Sequence, residues 1–177
     1  MENIPTLFVT FGFPGSGKTY FSKRLAKDLG AFHLNSDRLR SEIFPSKLYS
    51  PEDNKTVFGV MDYIAEELLS RSMSVLYDAN VTKRIFRKRL QKIAKKAEAN
   101  YLVLWIQVPL ELALKRVRDR TKLTTELQRK YEVPIDEETV LRLKSQMEDP
   151  VGEANIILDG TKTYKSQRKL IQNFLNT

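Results

Sequence analysis

The sequence predicts an α/β fold, a three-layer helix–sheet–helix sandwich around a five-stranded parallel sheet. Short apolar runs of strand length alternate with amphipathic helical stretches, which implies parallel pairing through right-handed crossovers. A glycine-rich turn closes the first run where a ligand-binding crevice is expected. The 177 residues show no repeat, low-complexity tract or linker, so residues 1–177 are expected to form a single domain.

The first strand is read at Thr6 to Phe11, followed by the glycine-rich turn and a helix in which Phe21, Leu25 and Leu29 share a face. A second strand covers Ala31 to Leu34. After it, Asn35, Ser36 and Asp37 are all competent to cap a short helix running through Arg40 to Phe44. Ser50, Pro51 and Asp53 form the N-terminal signature of a long helix bearing Val57, Met61, Ile64 and Leu68 on one side. The third strand runs from Ser74 to Tyr77 and ends at Asp78. The next helix begins near Thr82, with Phe86, Leu90, Ile93 and Ala97 as its apolar stripe and cations elsewhere around it. Tyr101 to Val108 is nearly all apolar, as in a central strand buried on both faces. A helix from Leu110, a highly charged stretch, a helix from near Asp136, a strand at Ile156 to Leu158 and a last helix with Leu170, Ile171, Phe174 and Leu175 complete the chain.

Composition sets outer bounds. No apolar run approaches the ~20 residues that span a bilayer, so no membrane partner is expected. The chain has no cysteine, hence no disulfide and no thiolate metal site, and no secretory start is visible; a cytoplasmic location is the expectation. The net charge is +8, and eight cations lie between Lys83 and Lys96 with no acid among them. That segment, residues 83–96, has the footprint of a surface for a nucleic-acid backbone, although such runs also serve as solvated helix faces.

Gly12-Phe13-Pro14-Gly15-Ser16-Gly17-Lys18-Thr19 is a complete G-x-x-x-x-G-K-[ST] phosphate loop between a strand and a helix. Glycines let the backbone turn its N–H groups around a polyphosphate, and the helix N-terminus adds positive potential. ATP with Mg²⁺ is therefore the expected ligand. Gly12, Pro14, Gly15, Ser16, Gly17, Lys18, Thr19 and Tyr20 are its binding residues, with Lys18 on the β- and γ-phosphates and the Thr19 hydroxyl on the metal.

Asp37 follows the second strand at the carboxyl edge, where it is able to orient an attacking hydroxyl, and Arg40 to hold an acceptor anion; Asp37 reads equally as a helix cap. Asp78 and Asn80 end the third strand beside the loop, placed to touch the acceptor or a metal-bound water. Arg116 and Arg120 share a helix face entering the charged stretch, so 116–135 reads as a helical lid that delivers guanidinium groups to the donor phosphates. His33, the single histidine, is assigned no role.

Five pieces of the chain are similar to the polynucleotide 5′-kinase family of P-loop phosphotransferases, a resemblance extending to AAA-type ATPase relatives and zeta-toxin-like enzymes. They are the phosphate loop, Asn35-Ser36-Asp37-Arg38-Leu39-Arg40, Tyr77-Asp78-Ala79-Asn80, Val108-Pro109 leading to Arg116 and Arg120, and Val133-Pro134-Ile135-Asp136. The resemblance implies strand order 2-3-1-4-5, Asp37 as base toward a nucleic-acid 5′-hydroxyl, Arg40 on the neighbouring phosphate, and Lys18 and Arg120 as catalytic contacts to the donor. Arg38 stands where the phage member has a second acid. The alternatives are a kinase of a small molecule, such as a nucleoside, sugar or zeta-toxin-like acceptor, and a nucleotide-binding regulatory module.

Overall fold

In the computed structural model, residues 4–44, 50–122 and 135–175 are described, the side chains of 120–122 excepted. Five parallel strands lie in the order β2-β3-β1-β4-β5: β1 Thr6–Phe11, β2 Phe32–Asn35, β3 Val75–Asp78, β4 Asn100–Gln107 and β5 Asn155–Asp159. β1 matches its sequence-based bounds, and each of the others differs by one residue at either end, β5 being longer by one at both. The helices are α1 Lys18–Leu29, α2 Ser36–Ile43, α3 Pro51–Ser70, α4 Arg84–Lys96, α5 Leu110–Lys122, α6 Glu137–Ser145 and α7 Tyr164–Leu175. No described helix is long and apolar enough to cross a membrane.

Strand alternation sorts the core into two layers. Leu7, Val9, Val75 and Tyr77 face Val57, Met61, Ala65 and Leu69 of α3 and Leu90 and Ala94 of α4. Phe8, Leu76, Leu102 and Ile106 face Phe21, Leu25 and Ala26 of α1 and Ile171 of α7. β1 is central and fully buried, paired to β3 by Phe8↔Leu76 and to β4 by Phe8↔Leu102. The loop that follows it is therefore set at mid-sheet on the carboxyl edge. Of the apolar set expected on the last helix, only Ile171 is buried, since β5 is an edge strand and offers α7 half a face.

Asn35 wins the choice of cap for α2, its Oδ1 accepting from Arg38 N at 2.9 Å. Ser50 caps α3 through Asp53 N as expected. α4 starts at Arg84, two residues beyond Thr82, and its N-cap residue Lys83 has no side-chain acceptor to offer. The cap comes from Glu148, whose Oε2 accepts from Arg84 N at 2.7 Å.

Candidate active site

The glycines of the phosphate loop are required by geometry. Gly12 and Gly15 have φ of 151° and 83°, and a Cβ on them would meet Ile106 O at 2.7 Å and Ala113 O at 2.5 Å. Ser16 N closes the turn onto Phe13 O. The first helical bond of α1 runs from Phe21 N to Gly17 O, so the amides of Lys18, Thr19 and Tyr20 precede it and point out of the helix N-terminus. Lys18 folds across the mouth of the loop, its Nζ donating to Gly12 O at 2.7 Å and Phe13 O at 3.3 Å. Thr19 and Tyr20 are exposed, and Arg24 stacks 4.4 Å over the Tyr20 ring. The Ser16 Oγ is buried with no hydrogen-bond partner among the described residues. An inward-turned glycine backbone, an orphaned hydroxyl and an ammonium at a helix N-terminus fit a polyphosphate with its metal.

Asp78 forms the floor on the β3 side. It is 2 % exposed, with Oδ2 accepting from Asn35 Nδ2 at 2.8 Å and facing His33 Nε2 at 3.0 Å, and Oδ1 accepting from Thr10 Oγ1 at 3.3 Å. Burial opposes its charge, but the hydrogen bond and charge of His33, the Asn35 amide and the nearby Lys18 ammonium outweigh burial and hold the carboxyl below its ordinary value. The sign follows from that direction: the stability Asp78 contributes is present above about pH 4 and lost as the pH falls through its lower folded value. Asp78→Asn is therefore expected to be less stable than the wild type at neutral pH, with the gap closing in acid. Denaturant midpoints across that range check this, and a constant gap would rule it out.

Asp37 lies in the first turn of α2, half-buried and relieved of capping by Asn35. Arg40, from the last turn, is 3 % exposed and turned into the α2–α3 junction, where Nη2 donates to Asn54 Oδ1 at 2.5 Å. Asn80 is exposed at the rim. Arg116 of α5 reaches over the loop: Nη1 lies 3.4 Å from both Gly15 O and Ser16 O, and Nη2 donates to Gly160 O at 3.0 Å. Arg120 belongs to α5, but its side chain, like most of the expected lid at 123–134, lies outside the described residues.

A groove of about 400 Å³ opens on the β5 side of the loop, lined by Gly17, Tyr20, Arg116, Gly160, Tyr164 and Gln167 among others. Asp37, Asp78 and Asn80 lie on the β2–β3 side. The loop thus lies between a groove toward the last strand and the carboxylates that follow β2 and end β3. Sequence reasoning missed the β5–α7 contributors and His33. The turn Asp159-Gly160 at the end of a strand was the one available signal for the former; nothing local connects His33 to Asp78, two strands of a parallel sheet being required to bring them together.

The basic helix is half neutralised. Arg87 is fully buried on Glu153, while Arg89, Lys96 and Lys83 pair with Asp62, Glu66 and Glu148. That weakens the nucleic-acid footprint read at 83–96: half of its cations are paired within the chain, by acids from α3 and from the segment before β5. Arg84, Lys88, Lys92 and Lys95 remain exposed along one face.

A family model described as an AAA domain matches residues 7–150. The L-seryl-tRNA(Sec) kinase of Methanococcus maripaludis is 29 % identical over 119 residues, covering 64 % of this chain and 46 % of that protein, so the chain spans just under half of that relative's length. A Pyrococcus abyssi protein named "Probable adenylyl-sulfate kinase" is 25 % identical over 171 residues, 89 % of this chain and 94 % of that one. Among solved structures, a gluconokinase from Sinorhizobium meliloti superposes with TM-score 0.69 at 20 % identity, over 98 % of this chain and 93 % of that one. The APS kinase of Mycobacterium tuberculosis, in complex with AMPPNP and APS, does so with TM-score 0.68 at 16 % identity over the full length of both. At such identities the structural likenesses bear on fold alone.

Proposed function

The chain belongs to the AAA-domain family of P-loop kinases, and from that premise we propose that it transfers the γ-phosphate of ATP to a hydroxyl of a small-molecule acceptor. The observation that carries the reading is the phosphate loop at the carboxyl end of the central strand, with Lys18 across its mouth and a separate carboxylate-bearing edge beside it. In this reading the nucleotide base occupies the groove near Gly160 and Tyr164, Arg116 and Arg120 lie along the donor, and Lys18 offsets the charge that develops between β- and γ-phosphates. Thr19 would hold Mg²⁺, which when bound would add further neutralisation of phosphate charge. Asp37 orients the acceptor hydroxyl and takes its proton as the new oxygen–phosphorus bond forms and the bond to ADP breaks. Arg40 holds the first turn of α3 beneath the acceptor, and Asp78 and Asn80 bound it on the β3 side. The chain is read as one domain, with 116–135 as its lid.

Small acceptors are supported by the nearly full-length match to the Pyrococcus abyssi protein and by the internal pairing of half of the α4 cations. A second reading, a nucleic-acid 5′-hydroxyl as in the polynucleotide kinases, draws support from the exposed row Arg84, Lys88, Lys92 and Lys95. The two are separated by offering γ-labelled ATP with a metabolite panel that includes sugars and adenylyl-sulfate, beside a 5′-hydroxyl oligonucleotide. Label on a small molecule, with a shallow salt response, is expected; label on the oligonucleotide, falling steeply with salt, overturns it. Asp37→Asn is expected to lower kcat by about 10²–10⁴-fold with ATP affinity unchanged. Unaltered turnover in that variant would instead fit a nucleotide-gated regulatory module.

A further inference from the structure

The α5–α6 pair has a small apolar core of its own, apart from the two clusters on the sheet faces. Its buried members are Ala113 and Val117 of α5, Val140 of α6, and Phe13. Phe13 comes from the phosphate loop itself and is 8 % exposed. It occupies one of the unspecified positions of the motif, so phosphate chemistry does not demand an aromatic ring there. Two more contacts tie the same junction. Gly15 runs so close to α5 that any Cβ would collide with Ala113 O, and Arg116 reaches the Gly15 and Ser16 carbonyl oxygens. On the far side, Lys144 of α6 lies with its Nζ 6.0 Å from the Phe13 ring centroid, and α5 is ion-paired to α6 by Arg118 and Glu137.

We infer that Phe13 is a positioning residue that keys the phosphate loop to α5 and α6, so that loop and helices shift as one body. A close-packed apolar junction has few intermediate arrangements, so a displacement at one side is passed on instead of absorbed. By reciprocity, whatever orders the loop orders the helices, and whatever displaces the helices weakens the hold on the phosphates. This rests on the reading of Gly12–Thr19 as the ATP site.

The test uses the full chain, with AMPPNP and Mg²⁺ as probe. Hydrogen exchange of the α6 amides and calorimetric affinity are measured for the wild type, Phe13→Leu and Phe13→Ala. AMPPNP is expected to slow exchange across α6 in the wild type and in Phe13→Leu. Phe13→Ala is expected to lose that protection and to bind AMPPNP roughly tenfold more weakly. Should Phe13→Ala not fold, Phe13→Val is expected to show a partial loss of both. Wild-type binding with no change in α6, or an alanine variant that keeps both protection and affinity, overturns the coupling alone. Absence of any AMPPNP binding to the wild type overturns the ATP reading together with it.

Discussion

Lys18→Ala is expected to lower kcat/KM for phosphoryl transfer by about 10³-fold or more, the scale on which a single charge-stabilising group at a phosphoryl or oxyanion site acts. That corresponds to about 4 kcal/mol of transition-state stabilisation. The expectation comes from placement. Lys18 opens α1, so its backbone contributes an outward-pointing amide while its ammonium crosses the loop to Gly12 O. No second lysine stands in the loop to substitute for it. The folded state should be little affected, because the side chain is only half-buried and the loop keeps its glycine geometry and the Ser16–Phe13 turn. Single-turnover transfer from γ-labelled ATP and magnesium-dependent calorimetry measure the loss. A variant that binds and turns over within about tenfold of the wild type would remove the basis for the proposed chemistry.

The second large effect falls on stability. Arg87 is fully buried, and its guanidinium is saturated: Nε and Nη2 donate to the Glu153 carboxylate at 2.8–3.0 Å, Nη1 to the carbonyls of Val81 and Thr82, and Nη2 also to Glu148 O at 2.7 Å. It also covers the face of Phe11, the last residue before the loop, at 4.7 Å. Glu153→Ala strands this cation without its counter-charge, and breaking a buried pair from one side costs about 3–5 kcal/mol. For a chain of this size the melting temperature should fall by roughly 10 °C. The double change Arg87→Met with Glu153→Leu should recover most of that loss, because the pair's own desolvation cost is removed with it. Chemical denaturation of the three proteins decides it. A single variant within about 1 kcal/mol of the wild type would mean that water or another acid replaces the carboxylate.

The sequence was most informative where one short stretch carried both signal and structure. The strand, loop and helix from Thr6 to Leu29 needed no distant partner to be recognised, and the apolar run within Asn100–Gln107 announced a central strand. Strand order was reached only through family resemblance, since register pairs such as Phe8↔Leu76 and Phe8↔Leu102 join residues far apart in the chain. The same distance hid the fate of the α4 cations. Arg87 meets an acid 66 residues later, so a run with no acid of its own read as a footprint for a nucleic-acid backbone or a solvated helix face, with no sign of its internal pairing. His33 lost its place for a related reason, its partner Asp78 being 45 residues away on the neighbouring strand. Asn35 and Asp37 were both legible as polar groups after β2, but which one would cap the helix was decided by a difference of two positions in where α2 begins.

The central position of β1 has a consequence during synthesis. β1 acquires its neighbours only when Val75–Tyr77 and later Asn100–Trp105 have emerged, and β2, made between β1 and β3, ends at the margin. On the ribosome, the glycine loop is flanked on neither side until β3 is made, and on both sides only once β4 has followed. Nascent chains that stop short of β4 are expected to be held open, protease-sensitive and dependent on chaperones, with nucleotide capture appearing late and abruptly.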